Sequence, residues 1–324
     1  MLVPVLLFLL GFVLLIKGGD WFVDGSVGIA HRFHLPELLI GATIVSIGTT
    51  LPEVMVSSQA AIEGNAGISY GNAIGSVICN TSLIAALTVA IRPGKVDPKT
   101  FRLPTLFFFL AALSYSLVAW TAGRFPRWMG VAYLLAFVGY MILTTVQMKK
   151  HPELSEEEEE SAGEEKEKPF WQELLLLVVG AAAIALGARF LVDNGTLIAA
   201  ALGVPDSVFG LTMVALGTSL PELITAITSL AKGHGALSLG NVIGANLFNI
   251  ILVSGMAITI SPFAVPTEKT LAGLNSSLIV DLPVMLAVMA ILCLPPLRSG
   301  KMRRWQGVLL LGAYLAFTVY QFVS

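Results

Sequence analysis

Thirteen of the 40 Asp, Glu, Lys and Arg residues crowd between Lys149 and Lys168, and the other 27 are scattered over the rest of the 324-residue chain. That distribution leaves apolar runs of about 20 residues, the length at which an α-helix crosses the hydrocarbon of a bilayer. Hydrophobic residues are 56% of the sequence and charged residues 12%, where a soluble domain is about half apolar and a quarter charged. The expected fold class is an all-α integral membrane protein. Breaks marked by charge, Gly or Pro divide it into ten transmembrane helices, near 3–29, 37–62, 71–91, 103–121, 127–147, 170–200, 206–231, 239–260, 278–295 and 303–322. The opening "MLVPVLLFLLGFVLLI" lacks the basic n-region and small-residue cleavage site of a signal peptide, so it reads as a retained first span.

Loop Lys and Arg residues orient the helices, because cytoplasmic loops carry their excess. With the N-terminus outside, the cytoplasmic side collects 14 of them and the outer side only Arg124, Arg127 and Lys269. Leaving out the acidic stretch, the ratio is still 10 to 3. A multi-pass protein of the cell (inner or plasma) membrane is expected, with both termini outside. The segment "HPELSEEEEESAGEEKEKP" has like charges and almost no apolar residues, which suits a solvated cytoplasmic tether rather than a folded element.

The chain is also duplicated. At an offset of 169 residues, Gly41–Ile84 aligns with Gly210–Val253 without a gap and with 16 identities in 44 positions, where chance gives roughly 3 at about 7% per position. Val23-Asp24 pairs with Val192-Asp193 at the same offset. The expected organisation is therefore a five-helix repeat over 1–148, an acidic cytoplasmic linker over 149–169, and a second five-helix repeat over 170–324. Five is odd, so the halves insert upside down relative to each other. Two inverted five-helix repeats are a signature of secondary transporters, whose site lies near the midplane where the halves meet.

Each half carries the same anomaly: "GTTLPE" at Gly48–Glu53 and "GTSLPE" at Gly217–Glu222, both inside apolar runs. Proline removes a helical hydrogen bond and crowds the carbonyl four residues back, which loosens carbonyls around Ser46–Gly48 and near Ala215. Thr49 and Thr50 lie four and three residues before Glu53, so both hydroxyls share a helix face with the carboxylate; Thr218 and Ser219 repeat this before Glu222. The next span of each half adds "GNAIGSVICN", with Asn72, Ser76 and Asn80 on one face, and "GNVIGANLFN", with Asn241, Ala245 and Asn249. The Gly pairs at 71/75 and 240/244 suit close helix packing. A charge at the bilayer centre costs roughly 2.5–3.5 kcal/mol even on the insertion scale, which makes a buried Glu a functional residue by default. Hydroxyls, loosened carbonyls and carboxylates are hard oxygen donors suited to calcium or sodium. The constellation reads as a cation site.

Other polar residues carry less. Asp24 and Asp193, at matching depths on the first helix of each half, suit a structural bond at a helix end equally well. Lys17 and Asp20 are spaced to pair with each other. His31, His34, His151 and His234 show no ligand spacing and read as solvated loop residues. Cys79 and Cys293 both fall in spans, so no disulfide framework is expected. No H-E-x-x-H occurs and "KGGD" at Lys17–Asp20 lacks a partner aspartate motif, which argues against an intramembrane enzyme.

The duplicated segments "GATIVSIGTTLPE…GNAIGSVICN" and "GLTMVALGTSLPE…GNVIGANLFN" resemble the α-1 and α-2 repeats of the sodium/calcium exchanger family, within the calcium/cation antiporter superfamily. The resemblance implies an antiporter that exchanges sodium for calcium by alternating access, without ATP and without a cofactor. Its partners would be calcium and sodium ions and the membrane lipid; it implies neither nucleic acid nor an obligatory protein partner. It makes Glu53 and Glu222 the central calcium ligands, shared with sodium, with Thr49 and Thr218 assisting. It assigns Thr50, Ser219, Ser76 and the carbonyls of Ser46 and Ala215 to flanking sodium sites, and sets Asn80 and Asn249 beside the centre. Two positions depart from the family pattern. Ala245 stands where serine is usual, and Asn249 where potassium-dependent members carry aspartate. The nearest alternative is a calcium/proton antiporter of the same superfamily, and after it a divalent-cation channel. Because the tether holds no ligand geometry, deleting Ser155–Glu167 is expected to leave ion exchange in proteoliposomes largely intact.

Overall fold

A computed structural model of the chain describes residues 2–150, 168–201, 217–267 and 269–323. Among these residues eight helices are long and apolar enough to cross a membrane. They are α1 (Leu2–Arg32), α2 (Glu37–Ile62), α3 (Ala66–Ile91), α4 (Pro98–Ala122), α5 (Arg127–Lys150), α6 (Phe170–Ala201), α8 (Gly235–Ile260) and α9 (Ser277–Ser299). Two more are α7 (Leu220–Lys232) and α10 (Arg304–Val323). The expected seventh span is described only from Gly217 onward.

Several helices begin before the apolar run does, because polar caps extend them out of the hydrocarbon. Asn65 accepts the amide of Ile68 at 3.1 Å and starts α3. Asp97 accepts the amide of Lys99 at 2.9 Å and starts α4, with Pro98 in the first turn. The connections also hold two small antiparallel ribbons that the all-α expectation lacks. In one, β1 (Arg124–Phe125) pairs with β2 (Phe263–Ala264). In the other, β3 (Thr270–Leu271) and β4 (Leu274–Asn275) form a hairpin closed by Ala272 and Gly273, both at positive φ as a two-residue turn requires. An isolated bridge joins Lys95 to Lys301. Lys95 and Ala264 are 169 residues apart, so the bridge at Lys95 and the ribbon at Ala264 are counterparts.

The molecule is apolar outside and buries a polar centre within its apolar core. Met55, Leu135 and Leu315 are 71%, 67% and 66% exposed, while Ser46, Thr50, Glu53, Asn80, Glu222 and Asn249 are all at 0%. That is the reverse of a soluble protein and matches a hydrocarbon solvent, in which an exposed leucine costs nothing.

The long helices α1 and α6 pack antiparallel along a seam of glycines at seven-residue spacing. A methyl group on Gly11 would lie 2.9 Å from the carbonyl of Gly187, and one on Gly18 would lie 3.0 Å from the carbonyl of Gly180. Gly180 and Gly187 are the counterparts of Gly11 and Gly18 at the 169-residue offset, so each half presents the same seam to the other. Gly240 and Gly244 of α8 likewise press against Leu38, Ala42 and Ser46 of α2.

Four helices contain a π-turn: Gly41–Val45 in α2, Asn80–Ala85 in α3, Asn249–Val253 in α8 and Ser277–Asp281 in α9. Such turns widen the helix and leave carbonyls that need other donors. Ser46 Oγ reaches the Gly41 carbonyl at 2.7 Å, Ser254 Oγ donates to the Asn249 carbonyl at 3.0 Å, and Tyr140 on α5 donates to the Ala42 carbonyl at 3.0 Å.

The glycine seam yields a stability prediction. A methyl on Gly180 would sit 2.5 Å from the backbone nitrogen of Phe22, and overpacking of this kind costs about 1–3 kcal/mol. Gly180→Ala is expected to lower the melting temperature in detergent. Gly139→Ala, whose methyl meets nothing within 4 Å among the described residues, is expected to leave it unchanged or raise it.

Candidate cation site

The helices α2, α3, α7 and α8 pack around one another and bring the two carboxylates into the polar centre. Glu53 projects from the middle of α2, which runs on through Pro52 without interruption. Glu222 projects from the first turn of α7, because the chain breaks at Ser219 and the helix restarts at Leu220 with Pro221 in its first turn. Proline tolerates that position, where its missing N–H would have had no helical partner. The acidic side chain there also offsets the positive end of the helix dipole. The single helix expected over 206–231 is thus interrupted beside its own carboxylate.

Both Glu side chains are completely buried and close enough to repel each other. Their surroundings are oxygen-rich. Thr50 Oγ1 lies 3.5 Å from Glu222 Oε1, which ties the first half to the carboxylate of the second. Thr49 Oγ1 donates to Asn241 Oδ1 at 3.1 Å, and Thr218 Oγ1 donates to Asn72 Oδ1 at 3.3 Å. These two bonds are counterparts at the 169-residue offset: the threonine of each half is held by the asparagine of the other. Asn72 Nδ2 also donates to the Glu53 carbonyl at 3.2 Å and to Ser57 Oγ at 2.8 Å. Ser46 Oγ lies 2.9 Å from the Asn241 carbonyl, and the Ser46 carbonyl lies 3.5 Å from Thr49 Oγ1.

Several acceptors in this centre have no hydrogen-bond partner among the described residues. They include both carboxylate oxygens of Glu53, Oε2 of Glu222 and Oδ1 of Asn80 and Asn249; the Ser219 hydroxyl is likewise unpartnered. Asn249 donates its amide to the Ala245 carbonyl at 3.0 Å, which turns its oxygen away from that bond. Ser76 is buried on the same face of α3 as Asn80. Ala215 lies outside the described residues. An unmade hydrogen bond at a buried group costs about 1–3 kcal/mol, and a buried unpaired carboxylate costs more. A cluster of unpartnered oxygens with two negative charges is chemically what a hard cation stripped of water requires.

Asn72 and Asn241, placed by spacing on the face of the candidate site but given no ligand role, belong to this arrangement. Their signal was present in the duplicated "GN" pairs, but the bonds they make cross between halves and do not show in helix periodicity. The charged residues at one end of the bundle have other duties. Asp24 and Asp20 meet Lys232 at 2.6 and 3.5 Å, which ties α1 to α7. Asp193 meets Arg189 one turn away, at an exposed position. Two histidines are not solvated loop residues as expected. His234 Nδ1 lies 2.7 Å and His31 Nε2 4.0 Å from Oε1 of Glu37, a carboxylate buried at the start of α2 that draws both rings in. His34 is exposed and His151 lies outside the described residues. Cys79 and Cys293 are buried free thiols.

A family model described as "Sodium/calcium exchanger protein" matches residues 3–146 and 173–323. The chain belongs to the sodium/calcium exchanger family. It is 32% identical to Sodium/calcium exchanger MaX1 of Methanosarcina acetivorans, over 98% of each chain. It is 31% identical to Inner membrane protein YrbG of Escherichia coli, over 98% of this chain and 96% of that one. Among solved structures it is similar to the sodium-calcium exchanger NCX_Mj soaked with 2.5 mM Na+ and 10 mM Sr2+. That likeness has a TM-score of 0.81 and 34% identity, and covers 98% of both chains.

Family membership leaves the crossed threonine–asparagine bonds to be tested in this chain. Asn241→Leu keeps the volume while removing the acceptor that holds Thr49. With calcium as the probe ion, the cation-dependent rise in melting temperature is expected to need about tenfold more ion, equivalent to about 1.4 kcal/mol. The ion-free melting temperature is expected to move little.

Proposed function

We propose that the protein is a secondary antiporter that exchanges sodium for calcium across the membrane by alternating access, electrogenically and without potassium. The observation that carries this reading is the pair of buried carboxylates, Glu53 and Glu222, set in a shell of hydroxyl, amide and carbonyl oxygens drawn from both halves. The ligand set we assign is Glu53, Glu222, Thr49 and Thr218 for calcium. Thr50, Ser219, Ser76 and the Ser46 and Ala215 carbonyls would serve sodium, with Asn80 and Asn249 beside them. The architecture that goes with it is ten spans in two inverted five-helix halves, 1–148 and 170–324. The linker 149–169 would be cytoplasmic and both termini outside the cell membrane.

Coupling follows from charge. With no ion bound, the site would carry two negative charges through the low-dielectric interior, at roughly 2.5–3.5 kcal/mol each. A penalty of about 5 kcal/mol slows the crossing by nearly 10⁴. Loaded with calcium the site is neutral, and loaded with sodium its charge is again balanced or slightly positive. Only loaded forms cross at a useful rate, so calcium moves one way only when sodium moves the other. Asn249 in place of an aspartate leaves no third carboxylate for potassium.

Two tests follow. Calcium-45 uptake into proteoliposomes is expected under an outward sodium gradient and to be small under an outward proton gradient; the reverse would favour calcium/proton exchange. Glu53→Gln and Glu222→Gln are each expected to abolish uptake in protein that still elutes as a folded species, and near-normal uptake by either would overturn the ligand assignment.

Voltage supplies a third test. Three sodium ions against two carboxylates leave one net charge per cycle, worth about 2.3 kcal/mol per 100 mV. Sodium-driven uptake is therefore expected to respond to a potassium–valinomycin potential. Rates that ignore the potential would point to two sodium ions, with Ala245 unable to supply the hydroxyl that Ser76 brings.

A further inference from the structure

Below Glu222 on α7, the same helix face carries Thr225 and Ser229, three and seven residues on. Both are at 0% exposure, and neither hydroxyl has a hydrogen-bond partner among the described residues. Other threonines in its helices bond back to a carbonyl of their own helix, as Thr43 does to Leu39, Thr81 to Val77 and Thr145 to Met141. Ser58, Thr105 and Thr144 also lack a partner among the described residues, but Thr225 and Ser229 follow a site carboxylate on one helix. The direction of the face is fixed by its neighbours. Ile224 and Thr228 lie against Gly19 of α1, so Glu222 and Ser229 are turned away from α1 with Thr225 at the edge between, and α7 also contacts α3 and α8.

That face leads to a cavity. A space of about 630 Å³ opens at the end of the bundle that carries Arg92, Lys95 and Lys232, and its wall includes Thr88 of α3, Leu230 of α7 and Ser238 of α8. Ser238 is another buried hydroxyl without a partner among the described residues. From Glu222 to Ser229 is about 10 Å along a helix, and Leu230, the next residue, already lines the cavity. The other half has no such ladder. The counterparts of Thr225 and Ser229 at the 169-residue offset are Val56 and Ala60.

We propose that Thr225 and Ser229 line an access path by which a partly dehydrated cation passes between this cavity and the Glu53–Glu222 pair. A cation that sheds water needs replacement oxygens at each step, and hydroxyls supply them without the deep binding that a carboxylate would impose. The proposal rests on the antiport reading for its ion, but it is a statement about accessibility and can fail separately.

The test is modification of introduced cysteines by a membrane-impermeant cationic methanethiosulfonate, in proteoliposomes. Wild type, with Cys79 and Cys293 buried, serves as the blank, and Lys95→Cys reports which face the reagent has reached. Ser229→Cys and Thr225→Cys are expected to react from the Lys95 face, at least tenfold slower with calcium present. Ala226→Cys, on the same helix and equally buried, is expected to stay unreacted. Cysteines at 225 and 229 that react from neither face, or only from the face opposite Lys95, would overturn the path. If wild type fails to exchange sodium for calcium, the antiport reading falls while the labelling still reports the path. Should the cysteine variants fail to fold, Thr225→Val with Ser229→Ala is expected to slow exchange at least tenfold at an unchanged melting temperature. Unchanged exchange in that pair would also sink the proposal.

Discussion

Placing two carboxylates in the middle of a hydrocarbon-solvated bundle is the demand that the rest of the structure meets. Each would be costly alone, and together they repel. One hydroxyl reaches a carboxylate oxygen directly, and the other surrounding polar contacts hold the helices around the pair while leaving the remaining carboxylate oxygens open to an ion. Thr50 reaches across to Glu222, Asn72 bonds the backbone of Glu53, and the two threonine–asparagine bonds lock α2 to α8 and α3 to the chain just before α7. The wide π-turns serve the same end. They open carbonyls beside the centre, and Ser46, Ser254 and Tyr140 bring hydroxyls to them.

Much of this was legible in the sequence because it was written twice. The duplicated "LPE" and "GN" segments marked the carboxylates, hydroxyls and asparagines before any coordinates, and apolar runs marked the long helices. What stayed hidden lacked a second copy or depended on tertiary contact. Thr225 and Ser229 face Val56 and Ala60 at the repeat offset, so comparing the halves passes over them. Glu37 carried no signal in the sequence, and only the fold brings His31 and His234 to its buried carboxylate. Helix beginnings moved outward because Asn65 and Asp97 cap them, a polar event that hydropathy does not see.

The halves also differ where the ions would bind. Pro52 sits within a continuous helix, whereas Pro221 sits in the first turn of a helix that starts after a turn at Ser219. Ser76 faces Ala245 at the equivalent place. Two carboxylates in nearly the same sequence context, T-T-L-P-E and T-S-L-P-E, therefore differ in local helix continuity and in nearby hydroxyls. Ions distributed between them would meet two unequal sides.

The crossed bonds from Thr49 to Asn241 and from Thr218 to Asn72 have a consequence for ancestry. Neither half contains a complete polar centre, because each leaves its threonine to be held by the other. A half standing alone would need a second copy of itself to complete the centre, whereas two copies joined in one chain are free to differ. Ala245, Thr225 and Ser229 are positions at which the two do differ.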